Sequence, residues 1–223
     1  MVTLNREMKE YIMKYPKIAD SSIYEEIAKY QNSRGFKFDH KSQPSVSSFV
    51  KTLGEPAVKV AHGVLNIEEN LPESKRSFID GQDFEGKLVE YVQDDPLFDD
   101  NSGEYIYFLA YDKKIVKIGM TTTTIKSRYA SYNCGTRKAM KKGSCSSTNY
   151  VISECNYTAL KKGIKVEIFA IKLEKEYKTI TRFNQTQKVA VSIARDAEEM
   201  VTNEFITKYK HKPILCVQKG NSF

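Results

Sequence analysis

Apolar and polar positions change their spacing several times along the chain. Between residues 21 and 33, Ile23, Ile27 and Tyr30 recur at i, i+4 and i+7, the stripe of an amphipathic helix. Ser21 or Ser22 can cap its start, and Gly35 is placed to stop it. A second helix follows Gln43: Pro44 suits the first turn, and Val46, Phe49, Val50 and Leu53 make one apolar face. From Glu104 the pattern becomes strand-like. YIYFLAY predicts a strand, Asp112-Lys113-Lys114 a tight turn and IVKIG its partner, so this is a hairpin. Thr123 or Thr124 caps a helix holding Ile125, Arg128, Tyr129 and Tyr132. Another helix is expected around Ile152 to Lys162, closed by Gly163, and the alternation of IKVEIFAIKL marks a third strand. TITRFNQTQK fits a polar ribbon. VAVSIARDAEEMVTNEFITKY reads as a long helix whose stripe runs through Ala190, Ile193, Ala194, Ala197, Met200, Val201 and Phe205. The fold class is therefore α+β, a small mixed or antiparallel sheet flanked by helices and preceded by a helical N-terminal domain.

Charge divides the chain further. Residues 1–60 carry 10 basic and 7 acidic side chains, 61–100 carry 3 and 11, and 101–223 carry 22 and 10. This sets the expected boundaries: a helical domain over 1–60, an acidic connector over 61–102 that folds back on its neighbour, and a basic domain over 103–223. The connector holds a short strand or helix around Leu88 to Val92. Nine basic residues and no acid lie between Lys113 and Ile152, a positive field whose natural partner is a polyanion. Cys134, Cys145, Cys155 and Cys216 form no CxxC pair, and His40, His62 and His211 are scattered, so zinc is not expected. No apolar run reaches the length of a membrane span and no membrane partner is expected; the N-terminus lacks a signal-peptide core. A cytoplasmic protein inside a host cell, with reduced thiols, is the expectation.

The two N-terminal helices fit a loose helix-turn-helix, with Ser45, Ser47, Ser48 and Lys51 on the outward face of the second and Ser45, Ser48 and Lys51 as candidate DNA contacts. A helical docking or dimerisation domain remains the alternative for that pair.

The order strand, strand, helix, helix, strand, helix resembles the GIY-YIG nuclease superfamily over residues 103 to 217. Its first signature stands here as Tyr105-Ile106-Tyr107 and its second as Lys117-Ile118-Gly119, with nine residues between Tyr107 and Lys117. Lys117 replaces the usual tyrosine, as in some restriction and phage members. Arg128 lies eleven residues beyond Lys117, where the resemblance implies a basic residue on the next helix. The resemblance also implies a metal-binding glutamate on a late helix. On a 100° wheel Glu198 faces the sheet, Glu199 points away, and Glu204 sits at the far edge of the stripe; Glu198 is expected as the ligand, with Glu204 in reserve.

These residues suit phosphodiester hydrolysis. One carboxylate holding a hydrated Mg²⁺ (or Mn²⁺) activates water and relieves charge. Tyr107 is the expected general base, its phenol acidified by Lys117 directly across the hairpin, with Tyr105 as the second tyrosine of the site. Arg128 clamps the phosphate. Lys126 and the basic loop residues Arg137, Lys138, Lys141 and Lys142 are candidate contacts to double-stranded DNA. The expected function is a site-specific, metal-dependent DNA endonuclease encoded by a phage or mobile element, homing-like or directed against competing DNA. Two alternatives are a non-catalytic DNA-binding regulator and a type II restriction endonuclease, the latter acting as a homodimer.

Overall fold

The computed structural model describes residues 43–65, 89–135, 139 and 143–216. The first helix of the expected helix-turn-helix lies outside them, as do Arg137, Lys138, Lys141 and Lys142. Five strands form one sheet: β1 (Val58–Leu65), β2 (Val89–Gln93), β3 (Glu104–Tyr111), β4 (Lys114–Thr121) and β5 (Val166–Leu173). Their order is β2-β1-β5-β3-β4 and every neighbouring pair is antiparallel, which decides between the mixed and antiparallel sheets. The described ends of the acidic segment lie in β1 and β2, two paired strands of this sheet. β2 is the expected short element near Leu88. β1 is a strand that the pattern did not announce, because Gly63 and a bulge between Lys59 and Ala61 break its alternation.

Alternate residues of β3 supply the two cores. Tyr105, Tyr107, Leu109 and Tyr111 face α2 (Ile125–Asn133) and α3 (Ser147–Lys161). Ile106, Phe108 and Ala110 face α1 (Val46–Leu53) and α4 (Ala194–Tyr209). Phe49 of α1 packs edge-on against Phe205 at 5.2 Å and Phe108 at 6.2 Å, so this helix is built into the sheet's second core. Ser45 caps it, accepting from the Ser48 backbone at 3.2 Å, and Gly54 ends it with φ +74°. The hydroxyls of Ser45 and Ser48 thus have a local use: Ser48 Oγ also donates to the Ser45 carbonyl. Lys51 is exposed.

α4 begins four residues later than its stripe suggested. Gln185–Val191 is instead β7, paired with β6 (Glu176–Arg182) in a separate two-stranded ribbon, so Ala190 belongs to a strand and Ile193 to the cap. Met200, expected inward, is 71 % exposed. The start of α4 is fixed by Glu104, whose carboxylate accepts from the backbone N–H groups of Ile193 and Ala194, both at 2.9 Å. An acidic side chain at a helix N-terminus satisfies orphan donors and the helix dipole together.

Candidate active site

The hairpin β3–β4 turns through Asp112 and Lys113, both left-handed (φ 47° and 67°), as a two-residue primed turn requires. That turn pairs Tyr111 with Lys114 and Ala110 with Ile115. Continued without interruption, the register would set Lys117 opposite Phe108, on the wrong face. A bulge at Val116 inserts one residue, so Leu109 pairs with Lys117 and Tyr107 with Gly119. One extra residue flips every later side chain across the sheet, and here it turns Lys117 onto the face of Tyr107. Lys117 is therefore diagonal to Tyr107, two positions away, and not directly across from it as the sequence suggested. The chain after α4 covers this bulged edge: Leu215 N donates to the Val116 carbonyl at 2.7 Å.

Gly119 has a steric reason. The Tyr107 phenol lies over it so closely that a Cβ at this position would collide with the ring's hydroxyl, Cζ and Cε2. α2, capped by Thr124 accepting from Ser127 N at 3.0 Å, brings Arg128 and Tyr132 against the same phenol. The Tyr107 and Tyr132 hydroxyls share a short hydrogen bond, and Arg128 Nε donates to Tyr107 Oη at 3.3 Å. The guanidinium also stacks 4.9 Å over the Tyr132 ring. Behind them Tyr129 meets the rings of Tyr107, Tyr132 and Tyr91 at 5.5, 5.3 and 4.9 Å, a wall of aromatics that fixes the phenol's position.

These groups open onto a cleft of about 450 Å³ lined by Tyr107, Lys117, Arg128 and Glu198, with the hydroxyls of Thr121 to Thr123, Ser127 and Ser131 around them. Glu198 arrives from α4, which packs along the edge strand β4. The structure thus gathers four of the five expected catalytic residues from four elements, the consecutive β3, β4 and α2 and the distant α4. Tyr105 is not among them. It is on the same sheet face but fully buried and away from the cleft, its phenol pushed well above the ordinary range by burial and by the nearby Asp100 carboxylate. Glu204 is exposed and does not line the cleft; Glu199 is exposed as expected. Lys126 is exposed and ion-paired to Asp99 at 2.6 Å.

Electrostatics correct one further expectation. Burial raises the Tyr107 phenol far above its ordinary range, aided by Tyr132, and outweighs the opposing pull of Lys117 and Arg128. Desolvation disfavours a buried phenolate more than these cations favour it. Tyr132 is likewise pushed up, to about 12, by burial. Tyr107 is a neutral phenol at neutral pH, not an acidified base. Arg128 stays protonated: burial works against its charge, but Tyr107 and Tyr132 more than offset this. Lys117 is only 7 % exposed and has no ion-pair partner among the described residues. A buried ammonium with no direct ion pair, sharing its cleft with the Glu198 carboxylate, still has room for an anion that arrives from outside. Burial raises Glu198 above the usual carboxylate range against the pull of Lys117, Arg128 and Arg195.

Among the described residues no three His, Cys, Asp or Glu side chains gather. The donor set here is one half-buried carboxylate amid hydroxyls. It fits a hard, mostly hydrated cation such as Mg²⁺ or Mn²⁺, which needs one or two carboxylates, and it does not fit zinc.

Tyr132 and the three cleft threonines went unassigned in the sequence. The signal for Tyr132 was its i, i+4 spacing from Arg128 on one helix face.

No protein-family description matches the chain, and no curated protein matches it. Among solved structures it is similar to the restriction endonuclease HPY188I in complex with product DNA, with 26% identity, 80% of this chain and 89% of that chain covered, and a TM-score of 0.48. It is also similar to a variant of bacteriophage T4 EndoII, with 17% identity, 75% and 96% coverage and a TM-score of 0.38. Neither superposition is close enough to carry an assignment.

Proposed function

We propose that the chain is a divalent-metal-dependent DNA endonuclease, of the kind its resemblance to the GIY-YIG superfamily implies, and that the cleft between β3, β4, α2 and α4 hydrolyses the phosphodiester. The single observation that carries this reading is the convergence on that cleft of two cations with no direct ion pair among the described residues, Lys117 and Arg128, and one carboxylate, Glu198. Lys117 and Arg128 bind the scissile phosphate, Arg128 through its planar fork, and offset the charge that builds up in the transition state. Tyr107 keeps its proton. Its hydroxyl, oriented by Arg128 and Tyr132, hydrogen-bonds the attacking water or a phosphate oxygen and aims it along the line of displacement. Glu198 holds the cation, which when bound supplies Lewis acidity, making water more acidic and drawing charge from the phosphate. As the water oxygen bonds to phosphorus the P–O bond to the leaving sugar oxygen breaks; the water's proton passes to solvent through the open cleft, and the leaving oxygen takes a proton from solvent by the same route.

A type II restriction endonuclease is the second reading of the same chemistry. It is favoured by α1, the helix expected in a separate DNA-reading module, being docked through Phe49 into the second core of the sheet that carries the cleft. The reading of a non-catalytic DNA regulator gives no use for an inward Glu198.

The test is supercoiled-plasmid cleavage with Mg²⁺, with Mn²⁺ and with a chelator, comparing wild type with Lys117→Ala and Arg128→Ala. Metal-dependent cutting that falls by about 10²-fold or more in either variant supports the assignment. Undiminished cutting by both variants refutes it.

A further inference from the structure

The ribbon β6–β7 leaves the body of the protein immediately before α4, the helix that carries Glu198. Every residue of β6 is exposed, as are most of β7, and neither strand joins the five-stranded sheet. Its two faces differ. On one, the Thr181 and Thr186 hydroxyls bond each other at 2.9 Å and Lys188 stacks 4.9 Å over Tyr177, so the polar groups are occupied. On the other, Lys178, Arg182, Gln185 and Gln187 share the face through the pairs Lys178–Val189, Ile180–Gln187 and Arg182–Gln185. None of those four side chains has a hydrogen bond or ion pair within the described protein.

The tip adds an independent observation. Phe183 and Asn184 form the two-residue turn with φ 52° and 58°. Asn suits that conformation, but a bulky ring there is strained, and Phe183 is 94 % exposed with nothing to pack on. A strained, solvated aromatic adds no packing to the described fold.

We propose that this ribbon is a reading arm that enters the major groove of the bound duplex beside the cleaved phosphate. Arg182, Gln185 and Gln187 face base edges there, and Phe183 makes apolar contact at the tip. The inference rests on the endonuclease reading and adds where sequence is recognised. The dimensions agree: a two-stranded ribbon fits a groove about 12 Å wide, and seven residues at about 3.4 Å each reach roughly 20 Å. Charge agrees as well, since the ribbon carries Lys178, Arg182 and Lys188 against Glu176 alone. The chemistry names the bases. Arg matches the paired acceptors of guanine, Gln the acceptor and donor of adenine, and Phe a thymine methyl.

The test uses the full chain and a duplex library randomised over its central positions. Cut sites are sequenced for wild type. In parallel, duplexes retained by Glu198→Gln are sequenced, a readout that does not need cleavage. Each is repeated with Arg182→Ala/Gln185→Ala and with Phe183→Ser, whose exposed positions leave the melting curve unchanged. The expected result is a wild-type motif in which the double variant loses discrimination at one or two base pairs by about 5- to 150-fold. An unchanged motif overturns the inference, whatever happens to the overall rate. So does a change in oligomeric mass with Phe183→Ser, which would make the tip a contact between copies. A motif bound by Glu198→Gln and lost in the ribbon variants, with no cutting by wild type, upholds the arm and sinks the endonuclease. Absence of any DNA binding overturns both.

Discussion

Replacing Gly119 with alanine adds one methyl group at the point where two strands must let a phenol lie flat. The new Cβ would meet Tyr107 Cε2 at 2.9 Å and its Cζ and hydroxyl closer still. Carbon atoms rest at about 3.5–4.0 Å, so that edge of the ring has to retreat by at least about 0.6–1.1 Å. Tyr107 has no room to do so freely, because Tyr129 and Tyr132 close the other side. Overpacking of this kind costs about 1–3 kcal/mol, which in a chain of this length lowers Tm by roughly 2–12 °C. The protein still folds, but its hydroxyl is displaced. Misplacing a reacting group by about 1 Å costs on the order of 10²-fold in rate. Single-turnover plasmid nicking below the lowered Tm measures the loss, with circular dichroism confirming the fold. If Gly119 acts through the phenol, Gly119→Ala added to Tyr107→Phe lowers the rate far less than it does alone. Cutting by Gly119→Ala within about threefold of wild type would refute this role for both residues.

Glu198 carries a prediction of opposite sign for activity and stability. Burial raises its folded-state pKa, so the folded chain binds more protons than the unfolded one, and stability falls as pH rises through the shifted titration. Glu198→Gln removes that cost, and its metal-free melting temperature at neutral pH is expected to equal or exceed that of wild type; a clear drop would contradict the burial argument. The same shift sets the acid limb of activity: cutting at limiting Mg²⁺ should weaken with falling pH already above the ordinary carboxylate range, and should recover with more Mg²⁺. An acid limb insensitive to Mg²⁺ would belong to another group. Arg128→Lys keeps the charge but loses the planar fork and the stack on Tyr132, so it is expected to rescue little of the activity lost in Arg128→Ala. Equal rates for Arg128→Lys and wild type would reduce Arg128 to a point charge. Phe49→Ala, which empties a fully buried position between Phe108 and Phe205, should destabilise the whole sheet domain by about 3–5 kcal/mol in a urea titration. A change confined to a separate early transition would make α1 part of an independent unit.

The hairpin, α2, β5 and the ribbon were legible because each rests on short-range patterns: turn residues, caps, and i, i+4 or alternating spacing. The grouping of Tyr107, Lys117, Arg128 and Glu198 was what the family resemblance implied, with the helix wheel choosing Glu198 among the late glutamates. What stayed hidden is tertiary. β1 alternates too poorly to announce a strand, and only pairing with β2 and β5 makes it one. The bulge at Val116 has no residue signature, yet it decides which face Lys117 occupies. The expectation of an acidified Tyr107 failed because a neighbouring cation can be read from strand pairing, whereas the desolvation that outweighs it needs the aromatic wall of Tyr91, Tyr129 and Tyr132 to be in place. Tyr105 shares the strand face of Tyr107 as its spacing required, but the cleft opens further along the sheet.

The central claim is that a single inward carboxylate turns this cationic cleft into a phosphodiesterase. It is tested most directly by incubating supercoiled plasmid and Mg²⁺ with equal amounts of wild type and Glu198→Gln, following nicked and linear product alongside the fraction of DNA bound. The expected result is cutting by wild type alone, with comparable binding by both proteins. Cutting by Glu198→Gln at the wild-type rate, or binding by both with cutting by neither, would contradict it.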